Sequence, residues 1–245
     1  MNLVIDIGNS RTKLVAFHDG QPVDERIDEG HRLEGLETFC KVHTFAAAIL
    51  STVVDLDAAA EARLQALPCP LLRFTALTPV PLQNRYRTPE TLGSDRLAAA
   101  VGAWTLRGGR NLLVIDAGSC ITFDLVTADG AYVGGNITPG VQARLRAIDD
   151  YFPRLPLVEQ KGPLPELGYD TQTAIRAGVV EGIRHEIEGY IRHFSVKYPD
   201  LLVFLTGGDD FHFESPIKSR IFADPFIVPR GLEAILTHHL VQKPN

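Results

Sequence analysis

The stretch Val4-Ile5-Asp6-Ile7-Gly8-Asn9-Ser10-Arg11-Thr12 decides the reading of this chain, because it returns as Val114-Ile115-Asp116-Ala117-Gly118-Ser119-Cys120-Ile121-Thr122. Both copies keep Val-Ile-Asp, a glycine two residues on and a threonine four residues after that. Each follows an apolar strand-like run (Leu3–Ile5, Leu112–Ile115) and leads into a second β-like segment (Arg11–Phe17, Ile121–Thr127). Each second segment then meets an Asp-Gly turn, His18-Asp19-Gly20 or Ala128-Asp129-Gly130. A unit of strand, glycine turn, strand, Asp-Gly turn and strand is therefore written twice, which predicts a fold made by duplication.

Strand and helix patterns alternate around the two copies. Leu56–Ala66 reads as a helix, Leu71–Phe74 as a strand, and Ser94–Leu106 as a helix with Ser94 as its expected N-cap. Further helices are expected over Val141–Tyr151, over Thr171–Tyr198 with Asp170 or Thr171 at its start, and over Gly231–Val241. A buried strand is expected at Leu201–Leu205, ending in Thr206-Gly207-Gly208-Asp209. The expectation is an α/β fold of two similar domains, residues 1–110 and 111–245, with the boundary at Arg107–Asn111 and a cleft between them.

Composition narrows the partners. With 45% hydrophobic and 22% charged residues, the 245-residue chain has the make-up of a globular protein large enough for one big core or two ordinary ones. A net charge of −6 and the lack of a basic block argue against nucleic acid, whose backbone demands a Lys/Arg-rich face. No apolar run reaches the roughly 18 residues that a bilayer demands. Ala46–Val54 is the nearest, and Asp6 interrupts the N-terminal apolar run, so neither a membrane partner nor a leader is expected, and the setting is read as cytoplasmic. Cys40, Cys69 and Cys120 show no Cys-x-x-Cys spacing and are expected as reduced, mostly buried thiols. The eight histidines show no metal-ligand spacing.

Asp6 ends a strand, the place where α/β sheets hold ligands. Gly8 lets the backbone turn sharply toward a ligand. The N–H groups that follow, with the Ser10 and Thr12 hydroxyls and Lys13, can hold phosphate oxygens. Asp6 is then the carboxylate that faces a Mg²⁺ carried by nucleotide phosphates. A plain β-turn closed by an Asp side chain has the same sequence. Turn geometry alone gives no reason to repeat Asp and Thr, however, so the second copy favours a nucleotide clamp. P-loop and dinucleotide-fold glycine patterns are absent. Leu92-Gly93-Ser94-Asp95-Arg96 has no copy. Asp95 suits the positive end of a helix, but Arg96 gains nothing there. Side by side, the carboxylate can orient or deprotonate an alcohol while the guanidinium pairs with an anionic group.

A strand, phosphate hairpin and strand in duplicate resembles the actin, hexokinase and heat-shock ATPase superfamily, whose domains are ribonuclease H-like. More narrowly, the chain resembles the type III pantothenate kinases. The matching segments are Asp6–Ser10, Leu92–Arg96, Asp116–Asp124, Gly134-Gly135-Asn136-Ile137-Thr138-Pro139-Gly140 and Thr206-Gly207-Gly208, in the family's order across nearly the whole chain. The resemblance implies ATP-dependent phosphorylation of pantothenate at its terminal hydroxyl, the first step of coenzyme A synthesis. It implies that Asp6, Ile7, Gly8, Asn9, Ser10, Arg11, Thr12 and Lys13 hold the nucleotide phosphates, that Ser119 also contacts ATP, and that Gly207 and Gly208 admit the adenosine. Asp95 is implied as the proton acceptor. Tyr86, Gly93, Ser94, Asp95, Arg96 and Thr171 are implied as pantothenate contacts, with Arg96 on its carboxylate. Asp116 is implied to hold a monovalent cation, K⁺ or NH₄⁺, while Mg²⁺ comes with ATP at Asp6. The resemblance also implies a homodimer whose pantothenate site is completed across the interface.

Three positions depart from the family pattern. Ser10 and Ser119 stand where threonine is usual and keep the hydroxyl; Cys120 replaces a usual alanine and reads as a small buried thiol rather than a nucleophile. Two other readings remain at this point. One is a different small-molecule kinase of the superfamily, against which Tyr86 and Leu92–Arg96 speak. The other is a non-enzymatic accessory protein related to transcription, which degraded acidic positions would favour. Asp6, Asp95 and Asp116 are all present.

Overall fold

The computed structural model describes residues 1–75, 77–208 and 221–242, and within them one strand order occurs twice. In the first sheet, β1 (Asn2–Ile7), β2 (Arg11–His18), β3 (Gln21–Glu29), β4 (Ala47–Thr52) and β5 (Leu71–Arg73) lie in the order β3-β2-β1-β4-β5. A short β6 (Gln83–Asn84) precedes the second set: β7 (Leu112–Ala117), β8 (Cys120–Val126), β9 (Ala131–Pro139), β10 (Leu202–Gly207) and β11 (Ile221–Ala223). Their order, β11-β10-β7-β8-β9, is the same pattern, with β6 added beyond β9. Both central strands are apolar on both faces because each lies between two others. Register repeats as well. β1 pairs in parallel with β4, Asp6 opposite Ser51, and β7 pairs in parallel with β10, Asp116 opposite Thr206. The duplication expected from the sequence is present in the topology.

Six α-helices and one short 3-10 helix (Pro89–Thr91) complete the described residues: α1 (Leu36–Val42), α2 (Ala58–Gln65), α3 (Ser94–Arg107), α4 (Val141–Tyr151), α5 (Thr171–Lys197) and α6 (Ile227–Gln242). The chain forms two compact units, one of Met1–Gly109, Leu125–Gly134 and Pro225–Asn245, the other of Arg110–Asp124 and Gly135–Asp224. The first unit buries Leu3, Ile5, Ile7, Leu14, Leu33, Phe39 and Leu50 in a common core. Its α3 and α6 cross backbone to backbone. A methyl group on Gly102 would overlap the Ile227 carbonyl oxygen, and one on Gly231 would overlap that of Ala98.

Several local expectations change. Ser94 is the first helical residue and not the cap; Gly93 occupies the cap position, and the Ser94 hydroxyl is turned to another partner. Asp170 caps α5 in a reciprocal box with Thr173. Its carboxyl is held below the ordinary range by the Thr173 N–H and hydroxyl that bond to it. Helix α6 begins at Ile227, ahead of the expected Gly231, since Pro229 falls in the first turn, where its missing N–H costs nothing. Cys120 is exposed, not buried, because it stands at a hairpin tip, while Cys40 and Cys69 are half-buried. Asp209 lies outside the described residues. Among the described residues no helix is long and apolar enough to cross a membrane.

Candidate active site

In the first unit, β1 and β2 join through a tight hairpin whose last strand pair is Ile7 with Thr12. Gly8 N–H donates to the Arg11 carbonyl at 3.0 Å, which leaves Asn9 and Ser10 exposed at the tip. The tip is braced from behind: Gly30 N–H donates to the Ser10 carbonyl at 3.0 Å, and the His31 ring lies 3.1 Å from the Asn9 carbonyl. Asp6 is half-buried beside this turn. Thr12 corrects the sequence reading. Strand alternation turns it inward, where it is fully buried and donates to the Gly30 carbonyl at 2.8 Å, so its hydroxyl fastens the hairpin and is closed to a phosphate. The Lys13 ammonium donates to the Pro225 carbonyl at 3.0 Å and stands 5.5 Å from the Phe226 ring centre.

The same unit brings Tyr86, Asp95 and Arg96 together at the start of α3. Arg96 is 6% exposed, and its guanidinium lies 5.7 Å from the Tyr86 ring centre, close enough for a cation–π contact. The Tyr86 ring is backed by Tyr132 at 6.1 Å between centres. The half-buried Asp95 accepts the Arg96 N–H at 2.8 Å. The Ser94 hydroxyl lies 3.0 Å from the hydroxyl of Ser51, a fully buried side chain on β4.

In the second unit, Gly118 N–H donates to the Cys120 carbonyl at 3.0 Å, so this hairpin is one residue tighter than its copy and exposes Ser119. Gly140, just before α4, donates its N–H to the Ser119 carbonyl at 3.0 Å. A methyl group there would overlap the Gly118 carbonyl oxygen and stand 2.9 Å from that of Ser119. Gly207 has φ 109° and presses on the Ala117 backbone, while Gly208 N–H donates to the Ala117 carbonyl at 3.1 Å. Only glycine combines that dihedral with that contact. Asp116, Ser119, Gly207 and Gly208 thus gather at the ends of β7 and β10, and Thr171 opens α5 in an exposed position.

Sequence reasoning missed three contributors. Ser51 sits in an apolar run, and its partner lies 43 residues away. Gly140 belonged to a recognised motif but had no assigned task. Half-buried Arg144 donates to the Pro139 carbonyl at 2.7 Å and to the Thr138 hydroxyl at 2.6 Å, and pairs with Glu186 on α5. A cavity of about 290 Å³ lined by Leu36, Cys40, Arg63 and Leu67 contains none of the motif residues.

Comparison with known proteins fits this geometry. The family model for type III pantothenate kinase matches residues 2–193. A type III pantothenate kinase of Bacteroides fragilis is 49% identical over 239 residues, covering 98% of this chain and 98% of that protein. Among solved structures, a Campylobacter jejuni protein described as a Baf family transcriptional activator aligns with a TM-score of 0.62 at 21% identity, covering 98% of this chain and 99% of that one. A Sinorhizobium meliloti protein described as a 2-dehydro-3-deoxygalactonokinase aligns with a TM-score of 0.58 at 14% identity, covering 98% and 99%. These two structures speak for the fold alone, which is that of actin-like ATPases and sugar kinases.

Proposed function

The chain belongs to the type III pantothenate kinase family, and from that premise we propose how its residues divide the work. It phosphorylates pantothenate with ATP, the first step of coenzyme A biosynthesis. Phosphoryl transfer rests on positioning and charge stabilisation more than on covalent chemistry. The observation that carries the residue-level reading is the gathering of Tyr86, Asp95 and Arg96 at the first turn of α3. Asp95 accepts the proton of the pantothenate hydroxyl as it attacks. Arg96, set against Tyr86, pairs with the pantothenate carboxylate. Gly93, Ser94 and Thr171 complete the acceptor side. Backbone N–H groups and the Ser10 hydroxyl at the Gly8–Arg11 turn hold phosphate oxygens, as does Ser119, while Gly207 and Gly208 admit the adenosine. The duplicated halves are taken as 1–110 and 111–245, a division by descent of the repeat rather than by compactness.

Among the described residues no group of three or more His, Cys, Asp or Glu side chains forms a metal cage. That suits a Mg²⁺ that arrives on ATP, which keeps phosphate and water ligands and needs only one or two protein carboxylates. Asp6, at a strand end beside the exposed turn, fits that task; the ion bound there would neutralise phosphate charge. Asp116, beside Thr206 in the strand register, would hold K⁺ or NH₄⁺. A homodimer is supported by large apolar side chains along one segment: Tyr151, Phe152, Leu157, Leu167 and Tyr169 are each between 57% and 84% exposed.

The test is ADP release with and without pantothenate in K⁺ buffer. Release is expected to depend on pantothenate, and folded protein without that dependence overturns the reading. Asp95→Ala is expected to keep the thermal midpoint and lose roughly 10²–10⁴ in kcat, the usual weight of general-base catalysis. Near-normal turnover in that variant removes Asp95 from the role.

A further inference from the structure

Ser51 is completely buried, yet it is neither apolar nor idle. Parallel pairing sets it opposite Asp6, so the two side chains leave the same face of the sheet. Its hydroxyl lies 3.0 Å from that of Ser94, the first residue of α3. Gly93 caps α3 without a side chain, so the first turn takes this anchor from the sheet itself. The second half repeats the device in outline, with the hydroxyl residue Thr206 at the matching position beside Asp116.

We propose that Ser51 is a positioning residue for phosphoryl transfer, acting through Ser94 to fix the first turn of α3 against β4, the strand paired with the one that carries Asp6. The assignment rests on the kinase reading above. Asp95 follows Ser94 directly and Arg96 follows Asp95, so a shift of Ser94 moves both. Misplacement of reacting groups by about 1 Å costs on the order of a hundredfold in rate. Ser51 touches no substrate in this scheme; its effect falls on the transfer step and not on nucleotide affinity.

Steady-state kinetics of Ser51→Ala, Ser94→Ala, the double variant and Ser94→Thr, with ATP and pantothenate each varied, test this. Each single alanine variant is expected to lower kcat about tenfold with KM for ATP within twofold of wild type. The double variant is expected to be no worse than Ser94→Ala alone, because Ser51 acts only through the contact that Ser94→Ala already removes. Ser94→Thr, which keeps the hydroxyl, is expected to recover most of the rate. Full kcat in Ser51→Ala, multiplicative losses in the double variant, or no recovery in Ser94→Thr overturns the positioning role while wild-type activity stands. Wild-type protein without pantothenate-dependent turnover overturns the kinase reading, and the role with it.

Discussion

Gly140→Ala separates the packing of the second hairpin from its use. The backbone at 140 has φ −73° and ψ −179°, which alanine adopts without strain, so the whole effect is steric. The added methyl group would overlap the Gly118 carbonyl oxygen, and Cβ atoms essentially never approach a neighbour closer than 3.0 Å. Either the start of α4 or the hairpin must yield by the order of 1 Å, the scale that matters for catalytic placement. Arg144, on α4, holds the chain just before the helix through Pro139 and Thr138 and ties it to α5 through Glu186, so the hairpin tip with exposed Ser119 and Cys120 is the part that moves. Overpacking of this kind costs about 1–3 kcal/mol, or roughly 3–10 °C in the midpoint for a chain of this size. If the turn holds ATP through Ser119, kcat/KM for ATP falls about 10- to 100-fold while KM for pantothenate stays within twofold. Differential scanning fluorimetry and the ADP-release assay read the two effects separately. A lowered midpoint with unchanged kcat/KM for ATP would refute the nucleotide role of the turn, and an unchanged midpoint would refute the contact.

Turnover is expected to be faster in K⁺ or NH₄⁺ than in Na⁺, with the preference lost in Asp116→Ala; equal rates in all three salts count against that assignment. Glu233 is 7% exposed, with one carboxylate oxygen bonded to Asn2 and Thr237 and the other without a partner. Burial raises its pKa above the ordinary 4.5, only partly opposed by those two bonds and the nearby amino terminus. The folded state therefore binds the proton more tightly than the unfolded one, so the carboxyl's contribution to stability is present below pH 4.5 and fades as pH rises through the folded value. Glu233→Gln should flatten that decline in midpoint-versus-pH curves, and parallel curves for the two proteins would rule the effect out. Gly231→Ala should cost roughly 3 kcal/mol, since the Ala98 carbonyl cannot retreat within a helix and the gain in helix propensity of about 1 kcal/mol does not offset the overlap. A thermal midpoint within a degree of wild type would contradict the close crossing of α3 and α6.

The parts of the fold that announce themselves in sequence are those with local periodicity. The apolar strands before Asp6 and Asp116, their glycine turns and the helices Val141–Tyr151 and Thr171–Lys197 all follow from patterns within a dozen residues or so. Thr12 shows a signal present but misweighed. Thr12, Leu14 and Ala16 share the buried face of one strand, and period-two alternation alone turns that hydroxyl away from any ligand. Ser94 reads as a cap in sequence because a serine before an apolar helix looks the same whether its hydroxyl bonds the helix or a neighbour. Contacts that join distant segments were not legible at all. Neither the bond between Ser51 and Ser94 nor the fit of Gly140 on Ser119 has a local signature, since each depends on where the sheet places two pieces of chain. Asp95 and Arg96 stand out in the sequence because the helix dipole accounts for the first at a helix start and not for the second.

The first compact unit is discontinuous in sequence, and this orders the protein's birth. Its first long segment ends at Gly109, but α6, which packs on α3 through Gly231 and Ala98, begins only beyond Pro225. At about 5–20 residues per second of synthesis, the ribosome leaves the exposed face of α3 uncovered for roughly 6–25 seconds. That face is built of Ala98, Val101, Gly102 and their neighbours, small and apolar, so it presents little surface for other chains to seize while it waits. Helix α6 then acts as a latch, and the unit holding Asp95 is completed only after the chain beyond Pro225 has been made.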